Sequence, residues 1–141
     1  MTNEANSMNN YVTLVEVLEL TRSLEEFTAA AQAAVLRLET EGIRELVSIQ
    51  FYVNPETTEA GAVITFSDYN CVIEHMNLIQ GWEEFRLFAG MVKLRDMRVY
   101  GKLSAEAEAW IRAFGSPSKR FEHYVSGFVR SIEPRSSQAN S

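Results

Sequence analysis

Apolar residues recur along this chain with two periods, and the switches between them lay out its elements. Tyr11 to Leu20 (YVTLVEVLEL) is rich in Val and Leu with Glu16 at its middle, which predicts a first strand apolar on both faces. From Leu24 the period lengthens: Leu24, Phe27, Ala31, Ala34, Val35 and Leu38 form one helical stripe. Ser23 and Glu26 are spaced as a capping box at its start, and Gly42 stands where a left-handed C-terminal residue is expected. Leu46 to Val53 then alternates. Val47, Ile49, Phe51 and Val53 share one face, and Leu46, Ser48, Gln50 and Tyr52 share the other. Asn54-Pro55 ends that strand, the polar residues to Gly61 form a hairpin loop, and Ala62 to Phe66 returns as a third strand.

Ser67 or Asp68 caps a second helix with Val72, Ile73, Met76 and Ile79 on its apolar stripe and His75 at the border. Gly81 breaks it. Trp82, Phe85 and Phe88 suit a short helix ending near Gly90, and Met91 to Tyr100 reads as a fourth strand interrupted by charges. Ser104 caps a further helix bearing Ala107, Trp110, Ile111 and Phe114, which Gly115 and Pro117 stop. Phe121 to Val129 reads as a last strand. The order strand–helix–strand–strand–helix–strand predicts an α+β, ferredoxin-like βαββαβ fold, with helices on one face of a four-stranded antiparallel sheet. The other face, carrying Leu46, Gln50 and Tyr52, is left open, so two sheets are expected to meet in a two-fold homodimer.

At 141 residues the length fits one domain. Within it the expected divisions are a disordered polar leader over 1–9, a ferredoxin-like body over 10–103, a helix-and-strand extension over 104–134 and a disordered tail over 135–141. The formal net charge of −6 argues against nucleic acid or an anionic membrane as partner. A lone cysteine, Cys71, excludes an intramolecular disulfide and fits a reducing cytoplasm. No apolar run is long enough to span a membrane, and MTNEANSMNN has no signal-peptide pattern.

Phe51-Tyr52-Val53-Asn54-Pro55-Glu56, Ser23-Leu24-Glu25-Glu26-Phe27 and the passage from Ile64-Thr65-Phe66-Ser67-Asp68 to Glu74-His75-Met76 give the chain a family likeness. Over residues 11–101 it resembles the dimeric α+β barrel superfamily, in particular the antibiotic-biosynthesis-monooxygenase-like branch. That resemblance implies oxidation of aromatic polyketides or quinols by O₂ without metal or flavin, hence no cofactor. Other relatives degrade haem with an Asn/Trp/His set; Trp82 follows His75 across Gly81, and no matching spacing is present. The resemblance assigns no role to Gly101–Arg130.

Under this resemblance His75 is the candidate catalytic base, taking a proton from a phenolic substrate whose anion passes an electron to O₂; the alternative is a structural histidine. Ser48, Gln50 and Tyr52 are candidate substrate contacts lining a cavity within the dimer, or polar groups satisfied at the sheet interface. Trp82 and Phe85 could close the pocket mouth, though an aromatic pair at this spacing also suits a core. Glu16 shares a face with Leu14 and Leu18. If buried it is an alternative base, unless it pairs with Arg98 on the fourth strand. Cys71 and His75 stand one helical turn apart, but no third group completes a nucleophile site. Two histidines, His75 and His123, offer no metal-ligand spacing, and no glycine-rich phosphate loop is present. A closed pocket above about 300 Å³ lined by His75 and aromatics would favour chemistry or ligand binding, and a filled barrel a structural role.

Overall fold

β1 (Val12–Leu20) is the central strand of a computed structural model that describes residues 8–130. The leader through residue 7 and the tail from 135 lie outside the described residues. Val12, Leu14 and Leu18 of β1 are buried beneath the helices, while Thr13, Val15 and Val17 alternate onto the opposite face. The chain continues through α1 (Leu24–Glu41), β2 (Leu46–Asn54) and β3 (Glu59–Phe66). A short 3₁₀ turn (Tyr69–Cys71) leads into α2 (Val72–Ile79), α3 (Glu83–Ala89), β4 (Val92–Tyr100), α4 (Ala105–Arg112) and β5 (Ser118–Phe121). The sheet runs β2-β3-β1-β4-β5, with the first four strands antiparallel, as a ferredoxin-like arrangement requires.

β5 adds a fifth strand, parallel to β4, beyond the expected four. It occupies Ser118–Phe121, whereas the expected strand was Phe121–Val129; residues 122–130 carry no regular structure. Two contacts hold it. Arg120 Nη2 donates to Glu108 Oε2 of α4 at 2.7 Å, and Phe121 stacks on Tyr100 with ring centroids 5.0 Å apart. These are tertiary contacts, which periodicity cannot reveal in so short a polar strand.

The capping box forms as expected: Glu26 N–H donates to Ser23 Oγ at 3.1 Å and Ser23 N–H to Glu26 Oε1 at 3.2 Å. Gly42 follows the helix but is not left-handed; its φ is −74°. Its need for glycine is steric, since a Cβ there would stand 2.5 Å from the Leu38 carbonyl oxygen. β2 departs from plain alternation. Its pairing with β3 shifts between Leu46 and Ser48, so Leu46 packs toward the core and Val47 is 49% exposed. This bulge moves Leu46 off the open face and Val47 off the core face, because one extra residue puts the alternation before it out of phase with the alternation after it. Downstream the expected faces hold: Ile49 and Phe51 pack inward, and Gln50 and Tyr52 point away.

Candidate functional site

The sheet separates the residues that the sequence grouped as one site. Ser48, Gln50 and Tyr52 lie opposite Thr65, Val63 and Gly61 on the face turned away from the helices, with Tyr52 62% exposed. Trp82 and Phe85 lie on the helix side. Trp82 is buried under the Arg37 guanidinium, 4.3 Å from the ring centroid, while Arg37 Nη1 donates to Glu84 Oε1 at 2.8 Å. That cation–π and ion-pair clamp ties α1 to the start of α3. Phe85 stacks on Phe88, and Phe88 joins Phe27 and Phe51 in an aromatic cluster with centroid distances of 5.2 to 6.3 Å.

His75 is also on the helix side. It is buried on α2, with its ring edge-on to Phe66 at 5.2 Å, and its Nδ1 has no hydrogen-bond partner. Desolvation pushes its pKa down to about 4, so the imidazole is neutral at ordinary pH and weakly basic. Cys71 is half-buried at the start of the same helix. Burial and then the carboxylates of Glu45, Asp68 and Glu74 hold its thiol pKa above the ordinary value, opposite to what an activated thiolate needs.

Glu16 occupies the helix face at the centre of the sheet. In register it stands between Ala62 of β3 and Met97 of β4, and Ala62 in turn faces Phe51 of β2. The result is a row, Phe51–Ala62–Glu16–Met97, with a carboxylate among apolar neighbours. The expected partner is elsewhere: Arg98 lies opposite Val15, on the open face, and its Nε donates to Asp96 Oδ2 at 3.0 Å. A shift of one residue along a strand changes the face, so Glu16 and Arg98 cannot meet. Desolvation alone pushes the Glu16 pKa up to about 7.

One end of this row meets an open groove of about 530 Å³ between α1 and β2, not a closed pocket. Phe27, Ala31 and Val35 form its helix wall and Ile49 and Phe51 its strand wall, with Thr28, Gln32 and Glu39 as polar groups. That size is ordinary for a small-molecule site. His75 does not line it, and neither do Trp82 or Phe85. The helical stripe places Phe27 and Ala31 in the core. The available signal was the run of alanines in α1, Ala29 to Ala34 with one glutamine, which leaves space against an edge strand. Among the described residues no group of three or more His, Cys, Asp and Glu side chains is placed to hold a metal ion, and no helix is long and apolar enough to cross a membrane.

Known structures share this architecture. MupZ from Pseudomonas fluorescens superposes with a TM-score of 0.64 at 19% identity, over 89% of this chain and 99% of that one. SnoaB, a cofactor-independent oxygenase from Streptomyces nogalater, matches at 0.55 with 8% identity, over 68% of this chain and 96% of its own. A conserved protein from Methanosarcina mazei Go1 also scores 0.55, at 13% identity with the same coverages. The likeness to these solved structures holds at the level of the fold. No protein-family model matches the sequence, and no curated protein matches it.

Proposed function

We propose that this protein is a cofactor-independent oxygenase-like enzyme that oxidises a small aromatic or quinol-type molecule with O₂, working as a homodimer paired through its open sheet faces. The substrate enters between α1 and β2, against Phe27 and Phe51, and reaches inward over Ala62, where Glu16 accepts its phenolic proton. The observation that carries this reading is the unpaired carboxylate with a pKa of about 7, one alanine away from the aromatic wall of a substrate-sized groove. A general base is most effective when its pKa lies near the working pH. The phenolate passes one electron to O₂, the radical pair combines to a peroxide, and loss of water leaves a quinone. One O₂ is consumed and one water released per turnover, so no outside reductant enters. His75, with a pKa of about 4, packs α2 against Phe66 in this reading and does not serve as the base.

A second reading is a non-catalytic module of the same fold that binds an apolar ligand in the groove. It is favoured by the fact that Glu16 itself does not line that groove. Oxygen uptake with a panel of phenols and hydroquinones, with and without added flavin, separates the two. Under the catalytic reading, uptake proceeds without flavin and rises with pH through about 7, the carboxylate's pKa. Glu16→Gln then lowers turnover by about 10²–10⁴-fold, while His75→Ala leaves the rate per folded molecule unchanged. Ligand binding without uptake by any of the panel would establish the second reading.

A further inference from the structure

Past β5 the chain runs on as an arm, Glu122–Arg130, whose apolar side chains stand in solvent: Val125 is 91% exposed, Phe128 75% and Val129 74%. Side chains of this kind, held this far out, are a surface awaiting a partner. The arm is not a featureless tail. Tyr124 Oη donates to the Gly127 carbonyl at 3.0 Å, and the Arg130 guanidinium sits 4.9 Å from the Phe128 ring centroid. It leaves the body on the open side of the sheet. His123, Tyr124 and Val125 line a cavity of about 300 Å³ there with Tyr11, Thr13 and Tyr100.

We infer that this arm lies between the two paired open faces and docks on the sheet of a second copy of the chain, where Val15, Val17 and Val63 present the apolar centre. The inference rests on the sheet-to-sheet dimer proposed above. Reach permits it: nine extended residues span about 30 Å, and a five-stranded sheet is roughly 20–25 Å wide. Area permits it as well. An exposed phenylalanine with two valines offers on the order of 400 Å² of apolar surface. Two arms, with the surfaces they cover, exceed the roughly 1,200 Å² of a stable complex. In a single copy the Tyr124–Gly127 turn leaves Phe128 and Val129 in solvent instead of on their own sheet. In a face-to-face pair the partner's sheet lies above the same side.

Sedimentation equilibrium on the wild type, on a chain ending at Glu122 and on Phe128→Ala/Val129→Ala tests this. The wild type is expected to be a dimer, and the double variant to dissociate about 30-fold more readily, the weight of one strong interface anchor. The shortened chain should dissociate at least as readily. Equal dimer affinity in all three would overturn arm docking and leave the dimer standing; a monomeric wild type would overturn both. Disulfide trapping in full-length chains carrying Cys71→Ser settles which copy receives the arm. Mixing a Val63→Cys chain with a Phe128→Cys chain should give a covalent dimer. Failure to cross-link between chains, with a cross-link formed only when both cysteines share one chain, would place the arm on its own sheet and overturn the proposal.

Discussion

Glu16 and His75 are desolvated by the same apolar interior, yet their stabilities answer pH in opposite directions. Glu16 titrates near 4.5 when unfolded and near 7 when folded, so the folded state holds its proton more tightly. Its contribution to stability is complete below about 4.5 and is lost as pH rises through about 7. His75 goes from 6.5 unfolded to about 4 folded, so its contribution is complete above 6.5 and is lost as pH falls through about 4. The histidine's effect is on the order of 3 kcal/mol, and that of Glu16, whose side chain is only part-buried, is smaller. Between about pH 4.5 and 6.5 the two slopes oppose and partly cancel in the wild type. Glu16→Gln should expose the histidine alone, with a melting temperature that climbs as pH rises from 4 to 6.5 and then levels. His75→Ala should expose the carboxylate alone, with a melting temperature that falls from 4.5 to 7. Thermal melts across this range check both. Parallel curves for the two variants would show that neither group is buried as described.

At the scale of elements, β2 tests how side chains are assigned to faces. Phe51 wedges between Phe27 and Phe88, so Phe51→Ala should cost about 3 kcal/mol, the lower end for a buried aromatic because its site is only partly enclosed. Gln50→Ala points the other way and should cost under about 0.5 kcal/mol. The bulge supplies a sharper contrast. Leu46→Ala should destabilise by about 2 kcal/mol and Val47→Ala by far less, the reverse of what unbroken alternation implies. Urea denaturation of the four variants decides it, and equal losses for Leu46 and Val47 would remove the bulge. α1 was legible because its capping box and stripe are local: Ser23 and Glu26 touch each other, and the helix brings its own apolar residues to one side. The bulge was illegible because register is a relation between two strands. The same reason hid the placement of Glu16. Its face could be read from Leu14 and Leu18, but opposing it to Met97 and not Arg98 needs the β1–β4 register, which itself shifts between Val17 and Leu18. The groove between α1 and β2 also depends on how far a helix stands from an edge strand, a distance no single-chain pattern encodes.

On the scale of the whole molecule the sheet is a wall with two differently used sides. Helices, the aromatic cluster, Glu16 and His75 lie on one. The other carries Val15, Val17 and Val63 in a central patch, ringed by Tyr52, Tyr100 and Phe121 and by the Asp96–Arg98 and Glu19–Arg95 ion pairs. An apolar centre inside a polar rim is the layout of an interface. If two such faces meet, folding and association are linked, and the melting temperature of the wild type should rise with protein concentration. Val63→Lys sets the two processes apart. Val63 lies between Val15 and Gln50 in register, away from the helices, so in a lone chain the lysine can extend its ammonium into water over the sheet. Between two sheets the same charge is unpaired and desolvated, and the twofold axis brings a second one with it. The variant should therefore fold with wild-type secondary structure, sediment as a monomer at micromolar concentration and melt at a temperature independent of concentration. A Val63→Lys chain that remained a dimer of wild-type affinity would move the interface off this face. It would also strip the arm of its docking site, while the helix-side groove and Glu16 would be untouched.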